Sequence, residues 1–300
     1  MDMTQNKCCR HGASLRRRRR RHRKILRSVI FSCSIIAGAV FVAVESRMIT
    51  SGDGGTNRYD VEAGNNTYDN AVIENSKISE KNKIQNNQSM LDDIMNSTQY
   101  PKQLKELALK NEEALEFVYD YPAEHVKEHT IDLTEEASMD SVPLFVQWDK
   151  RWGYEKYSGN FFAASGCGPT TLSMVVVYLT HNREASPIAV AKYSKEAGYS
   201  VDGSGSSWTL ISEGCMHYGV KAKAVALDES RMKAELDEGH PIVVNVGPGD
   251  FTDTGHFMVI TGYDDEGFSI NDPNSIEKSG KRWLFKNISS QIRAVWSMYV

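Results

Sequence analysis

Cys167 stands between two glycines and ahead of a proline in AASGCGPTTLSMVVVYL, residues 163–179. Pro169 suits the first helical position, and Leu172, Met174, Val175, Val176, Tyr178 and Leu179 make the following segment apolar nearly all round. The pattern predicts a helix over Pro169–Thr180 that runs through the core and carries Cys167 at its N-terminus. There the free N–H groups and the helix dipole favour a thiolate, and the cysteine's own backbone N–H can stabilise an oxyanion. Gly168 gives the backbone freedom, and Gly166 removes a side chain where a substrate carbonyl would approach. Such a thiol is a nucleophile in search of a proton acceptor.

Of the eight histidines, His11 and His22 lie in a basic tail, His125 and His129 in a polar connection, and His181, His217, His240 and His256 in the C-terminal half. Only His256 has a glycine before it and a strand-like run after it, in GHFMVITGY. The start of a central strand fixes a ring while leaving it at an edge where a cleft can form. A group to orient the imidazole is expected just beyond the next strand, where NDP offers Asn271 and Asp272, the carboxylate being the stronger acceptor. The second cysteine of this half, Cys215, sits mid-helix in WTLISEGCMHYG without an activating neighbour and reads as a small buried hydrophobe. A Cys167–Cys215 disulfide is the other structural use of the pair outside the cell. With no C-x-x-C pair, no H-E-x-x-H run and no G-x-x-x-x-G-K loop, neither a metal nor a cofactor is expected.

The elements that must position these residues fall between about 141 and 300. Helices are predicted over Pro169–Thr180, over Pro187–Ala197 with Ser186 as cap, over Trp208–Tyr218, and over Glu229–Glu238 ending at Gly239. Strands are predicted over Val220–Ala226, Ile242–Val246, Phe257–Tyr263, Phe268–Ile270, Trp283–Phe285 and Ala294–Tyr299. Helices followed by an antiparallel run of strands make an α+β domain. GSGSSW, 203–208, either lines the cleft or caps the next helix.

In order and character, VPLFVQWDKRWG, SGCGPTTLSM, GHFMVITGYDDEG and INDP resemble the papain-like cysteine peptidases of family 39, the group containing the bacteriocin-leader (double-glycine) peptidases. The resemblance covers about residues 142–300. It implies a papain-like fold, with a central helix bearing the nucleophile packed on an antiparallel sheet. It also implies Cys167 as nucleophile, His256 as base and Asp272 as orienting carboxylate. The oxyanion donor departs from the leader-peptidase pattern, in which a glutamine lies a few residues before the cysteine; Phe161 and Phe162 occupy that place here. Gln147, twenty residues upstream, takes the role if the intervening segment loops back, and is otherwise a polar residue on a strand edge.

The rest of the chain concerns location. Residues 1–27 hold eleven Lys or Arg against Asp2, a charge of +10, so with −4 overall residues 28–300 carry −14. An acidic body argues against nucleic acid as partner. Ser28 to Val44 is a run of seventeen uncharged residues, which with Ile25 and Leu26 reaches ~30 Å as a helix. The chain is thus divided into a basic cytoplasmic tail (1–27), a transmembrane signal anchor (28–48), a disordered polar linker (49–98), an amphipathic helix with an acidic linker (99–140) and the peptidase-like domain (141–300). Within 99–140, Leu104, Leu107, Ala108, Leu115 and Val118 recur at helical spacing from Pro101 to Tyr119. Secretion after cleavage near Ser46 is the alternative to an anchor.

Together these features lead us to expect a membrane-anchored, outward-facing thiol hydrolase that cleaves a peptide or amide bond through a thioester. A peptide or cell-wall peptide would be its substrate. The same three residues would serve a peptidoglycan amidase or transpeptidase, and the same fold a non-catalytic peptide-binding module.

Overall fold

The computed structural model describes residues 66–300, with side-chain surroundings from residue 77. The basic tail 1–27, the membrane span 28–48 and the linker up to residue 65 lie outside the described residues. Among the described residues no helix is long and apolar enough to cross a membrane.

The centre of the C-terminal part is a six-stranded sheet with every neighbouring pair antiparallel. Its strands are β1 (Lys221–Ala224), β2 (Ile242–Val246), β3 (His256–Asp264), β4 (Gly267–Asn271), β5 (Arg282–Trp283) and β6 (Ile292–Tyr299), in the spatial order β1-β6-β2-β3-β4-β5. Period-2 alternation divides the central strands between two cores. Val243, Phe257, Val259, Trp296 and Met298 face a helical layer. Ile242, Val244, Met258, Ile260 and Val295 face the other side, where Met232 covers them. With both faces covered, β2 is buried at all five residues, which is why it is apolar except at Asn245.

The helical layer is built on a fourteen-residue helix, Cys167–Thr180, in which every residue from Gly168 to Val177 is buried. Full burial stabilises each of Leu172, Met174, Val175 and Val176 by about 1.5–3 kcal/mol. A second helix, Pro187–Glu196, packs beside it, its N-terminus capped by Ser186 Oγ, which accepts from the Ala189 N–H. The helix predicted over Trp208–Tyr218 is instead a turn of helix at Thr209–Ser212 and a 3₁₀ segment at Gly214–Tyr218. Gly214, a weak helix former, follows the irregular Glu213 (φ −128°, ψ −46°). Trp283–Phe285 also differs: the strand ends at Trp283, and Phe285 opens a one-turn helix.

Ahead of this domain lie α1 (Asn66–Asn96), α2 (Lys102–Lys110) and α3 (Leu115–Tyr119), the last followed by a single helical turn at Tyr121–Glu124. In the order of the chain the helices already given follow as α4 (Cys167–Thr180) and α5 (Pro187–Glu196), then α6 (Glu229–Asp237) and α7 (Ile276–Ser279). Over its described part, from residue 66, the segment expected to be a disordered tether (49–98) is instead the helix α1. Its composition is rich in Asn and Ser, which are middling helix formers, but Met90, Leu91 and Ile94 pack on one face, Ile94 fully buried. Lys105 closes the helix end by donating to the Met95 and Ser97 carbonyls at 3.0 and 2.6 Å. The single amphipathic helix expected over Pro101–Tyr119 is broken at Asn111, whose backbone is extended (φ −134°, ψ 101°). All five apolar residues of its predicted stripe are nevertheless buried, against Phe161 and Ala163 among others. The acidic segment 122–140 is likewise no free linker, because Leu133 and Ala137 belong to the main core.

Candidate active site

Cys167 is the first residue of α4, half-buried and free of any disulfide. Gly166 differs from expectation in its reason for being glycine. Its φ of −84° suits any residue, but a Cβ there would lie 2.6 Å from ring carbons of Phe162, which is fully buried and cannot yield. A Cβ on Gly168 would fall 2.5 Å from Ser206 Oγ, so this glycine lets the start of α4 abut the 203–206 loop. Tyr157 fixes that loop, its hydroxyl bridging Ser206 at 2.6 Å and Ser194 of α5 at 2.8 Å.

His256 opens β3, paired across the sheet with Val246, and its carbonyl accepts from Asn245 Nδ2 at 3.2 Å. The ring is buried. Nε2–H donates to Asp272 Oδ1 at 2.7 Å; because the carboxylate only accepts, the proton sits on Nε2 and Nδ1 is left for the Cys167 thiol, to which the ring is hydrogen-bonded. Asp272 is fully buried just beyond β4. Its Oδ1 also accepts from the Asn274 N–H at 2.8 Å, and its own N–H donates to Ser279 Oγ at 2.9 Å. The neighbouring Asn271 turns away, its Nδ2 donating to the carbonyls of Val142 and Pro143 at 3.0 and 3.1 Å. Of the two residues offered by NDP, the one that meets the imidazole is therefore Asp272.

Burial alone would raise the Cys167 thiol, but the hydrogen bond and charge of His256, with the backbone N–H groups of Phe257 and Gly168, bring it below the ordinary thiol value. Burial likewise opposes charge on His256, yet the Asp272 carboxylate and Cys167 together raise the ring to about 10. Both shifts favour a thiolate facing an imidazolium. Cys215 has no such partner: it is fully buried, and burial pushes its thiol up to about 11.

Gln147 is brought back to the nucleophile, as the looping of 148–166 requires. It is 5% exposed, its Nε2 donates to the Ala163 carbonyl at 2.7 Å, and its backbone N–H donates to Pro273 O at 2.7 Å. Through its side chain and its backbone, Gln147 thus ties the segment before Cys167 to the segment after Asp272. The amide carries two N–H donors, so one remains for the groove that Gln147 lines.

That groove has two arms meeting at Cys167, with Asn160, Ala164, Thr254 and Gly255 common to both. One arm, a cavity of about 560 Å³, runs between the exposed face of α2 (Gln103, Glu106, Lys110) and the loop Gly249–Gly255. The other, about 690 Å³, is walled by Gly203–Ser206, Trp208 and Arg293. GSGSSW therefore lines the cleft, and Ser207 also caps the following turn by accepting from Thr209 N–H at 3.3 Å. The contribution of α2 was not visible in the sequence; the polar Gln103, Glu106 and Lys110 read only as the solvent side of an amphipathic helix. Among the described residues no group of three or more His, Cys, Asp or Glu could hold a metal ion.

Comparison with known proteins finds the Peptidase_C39 like family over residues 139–300. Among solved structures the chain is similar to the peptidase domain of Streptococcus ComA, a bi-functional ABC transporter involved in a quorum sensing pathway. The identity is 20% over 45% of this chain and 90% of that one, with a TM-score of 0.37. It is also similar to a putative C39-like peptidase from Bacillus anthracis, at 16% identity over 53% of this chain and 95% of that one, with a TM-score of 0.34. No curated protein matches it. With the family's pattern spanning residues 139–300, more than half its length, the chain belongs to the Peptidase_C39 like family.

Proposed function

We propose that the protein is a cysteine peptidase in which Cys167, His256 and Asp272 carry out amide hydrolysis. The observation that carries this reading is the buried line from Asp272 through the His256 ring to a half-buried thiol at the base of a two-armed groove. The Cys167 thiolate adds to the scissile carbonyl carbon, and the carbonyl π pair moves to oxygen. The N–H of Cys167 and the remaining N–H of Gln147 Nε2 hold that oxyanion. As the tetrahedral adduct collapses, His256 Nδ1–H passes its proton to the leaving nitrogen, and an amine departs from an S-acyl thioester. Water then attacks the thioester as the neutral imidazole takes its proton, which finally restores the thiolate–imidazolium pair and frees the carboxylic acid. Asp272 keeps the proton on Nε2 and stabilises the ring's cation throughout.

A position outside the cell, held by residues 28–48, is part of the proposal and rests on the +10 tail followed by the uncharged stretch Ser28–Val44. The test is a peptide library digested by the full chain in detergent. Cleavage blocked by iodoacetamide and absent from Cys167→Ala supports the reading. A chain that binds peptides but releases no new termini would leave a binding module in its place. Quantitative release of the protein into the medium would replace the anchor by a cleaved signal.

A further inference from the structure

Asp272 and its loop are held from two sides, and one of those sides lies outside the family domain. From within the domain, Gln147 N–H reaches Pro273 O and Trp148 Nε1 reaches Asn274 O at 3.4 Å. From the break between α2 and α3, Asn111 Nδ2 donates to Asn274 O at 2.9 Å and to Asn274 Oδ1 at 3.1 Å. Two residues on, the Glu113 carboxylate accepts from the Ser275 hydroxyl and from the N–H groups of Ile276 and Glu277 at 2.7 and 3.1 Å, closing the start of α7. Each contact is one step from the carboxylate that orients His256: Asn274 N–H donates to Asp272 Oδ1, and Ser279, in the last position of α7, accepts from Asp272 N–H.

The helix break itself is shaped for this contact. An uninterrupted helix from Lys102 to Tyr119 would keep Asn111 and Glu113 in their own turns. Instead the extended Asn111 accepts from Glu113 N–H with its Oδ1 at 3.0 Å, which leaves its Nδ2 and the Glu113 carboxylate free to reach a segment 162 to 164 residues away. Asn111 and Glu113 are half-buried here, whereas the intervening Glu112 is exposed and accepts from Asn87 of α1 at 2.8 Å.

We propose that Asn111 and Glu113 are positioning residues of the active site, a clamp supplied by the segment ahead of the family domain that holds the Asp272 loop against His256. The proposal rests on the catalytic reading above. It acts through geometry: the Asp272–His256 hydrogen bond is worth most when the carboxylate cannot drift, and residues that lock the supporting loop preserve that alignment.

The test measures two quantities on the full chain: the rate of Cys167 alkylation by iodoacetamide as a function of pH, which needs no substrate, and kcat and KM on a peptide found by library digestion. A clamp predicts that Asn111→Ala and Glu113→Gln raise the pH at which alkylation sets in by roughly 0.5–1 unit and lower kcat by about 3–10-fold. Asn111→Ala changes no charge, so a shift in that variant reports position and not field. Glu106 and Lys110 on α2, Asp250 and Asp253 on the facing loop, Lys278 on α7 and Tyr157 also face the groove or the thiol, and all stay unchanged. Glu112→Ala, which loosens only the contact with α1, should leave the alkylation profile where it was. Should Glu113→Gln fail to fold, Asn111→Ala decides alone. Onset at the wild-type pH in folded Asn111→Ala overturns the clamp while leaving the peptidase intact. A wild-type chain whose Cys167 ionises like an ordinary thiol overturns the catalytic reading, and the clamp with it.

Discussion

Cys167 and Cys215 are two free thiols of the same core, and their surroundings give them opposite chemistry. Cys215 lies in a 3₁₀ segment among apolar side chains, where burial outweighs the backbone N–H groups of Cys215 and Met216 and keeps the thiol protonated. Around Cys167 burial acts in the same direction but is outweighed, because an imidazole anchored on a carboxylate and two backbone N–H groups face the sulfur. The difference teaches that desolvation makes a cysteine inert or reactive according to what shares the site: without a partner it suppresses the charge, and with one it strengthens the attraction that creates the charge.

Exchanging the partners of the two sulfurs should therefore show in the numbers. The largest effect is expected for Cys167→Ala, with turnover down ~10⁵-fold or more and an unchanged circular dichroism spectrum, while Cys215→Ala keeps its turnover. Equal labelling of both thiols by iodoacetamide would erase the distinction. His256→Ala should come next, about 10³–10⁴-fold in kcat/KM, and should make Cys167 resemble Cys215 by moving its alkylation to higher pH.

Asp272 separates holding the ring from charging it. Asp272→Asn keeps an oxygen to accept from Nε2–H and should lose about 10-fold, whereas Asp272→Ala should lose roughly 100-fold or more. If Asn271→Ala were instead the damaging change, the hydrogen bonds of Asn271 to Val142 and Pro143 would matter more than the carboxylate.

The pH profile is a gentler test. Since the thiol is lowered and the ring raised, kcat/KM should climb to its plateau below the ordinary thiol value of ~8.5 and decline only as His256 loses its proton near 10. A profile that rises only above ~8.5 would mean an unpaired thiol. The smallest effect is on stability: Cys215→Ala leaves a small void and should cost about 1 kcal/mol, seen as a fall of roughly 2–4 °C in Tm.

Much of this was legible in the sequence where local pattern and tertiary role coincide. Ile242–Val246 is apolar at every position but Asn245 because both faces of β2 are covered, and the predicted bounds are those observed. Cys167, His256 and Asp272 could be picked out because each stands where an element starts or has just ended, and such places carry glycine, proline or polar marks. Legibility failed where a distant partner decides. Nothing around Asn111 announces that its amide will meet Asn274, so the stripe from Leu104 to Val118 looked like one helix. α1 looked like a tether because three apolar side chains near its end anchor an otherwise polar sequence. Gln147 could be suspected only through the family's pattern, and its bond to Ala163 depends on the path of the whole intervening loop.

The packing of α2 and α3 against Phe161 and Ala163 also bears on where this protein can be cut. A fragment beginning at residue 139, where the family's pattern starts, would uncover those two side chains together with Trp148 and Tyr154, which pack against the same cluster. Phe117 and Tyr154, now stacked with ring centroids 4.2 Å apart, would be parted, leaving an aromatic patch open to water and prone to self-association. The shortest well-behaved piece should accordingly begin before Met90, some fifty residues ahead of the boundary that sequence similarity alone would draw.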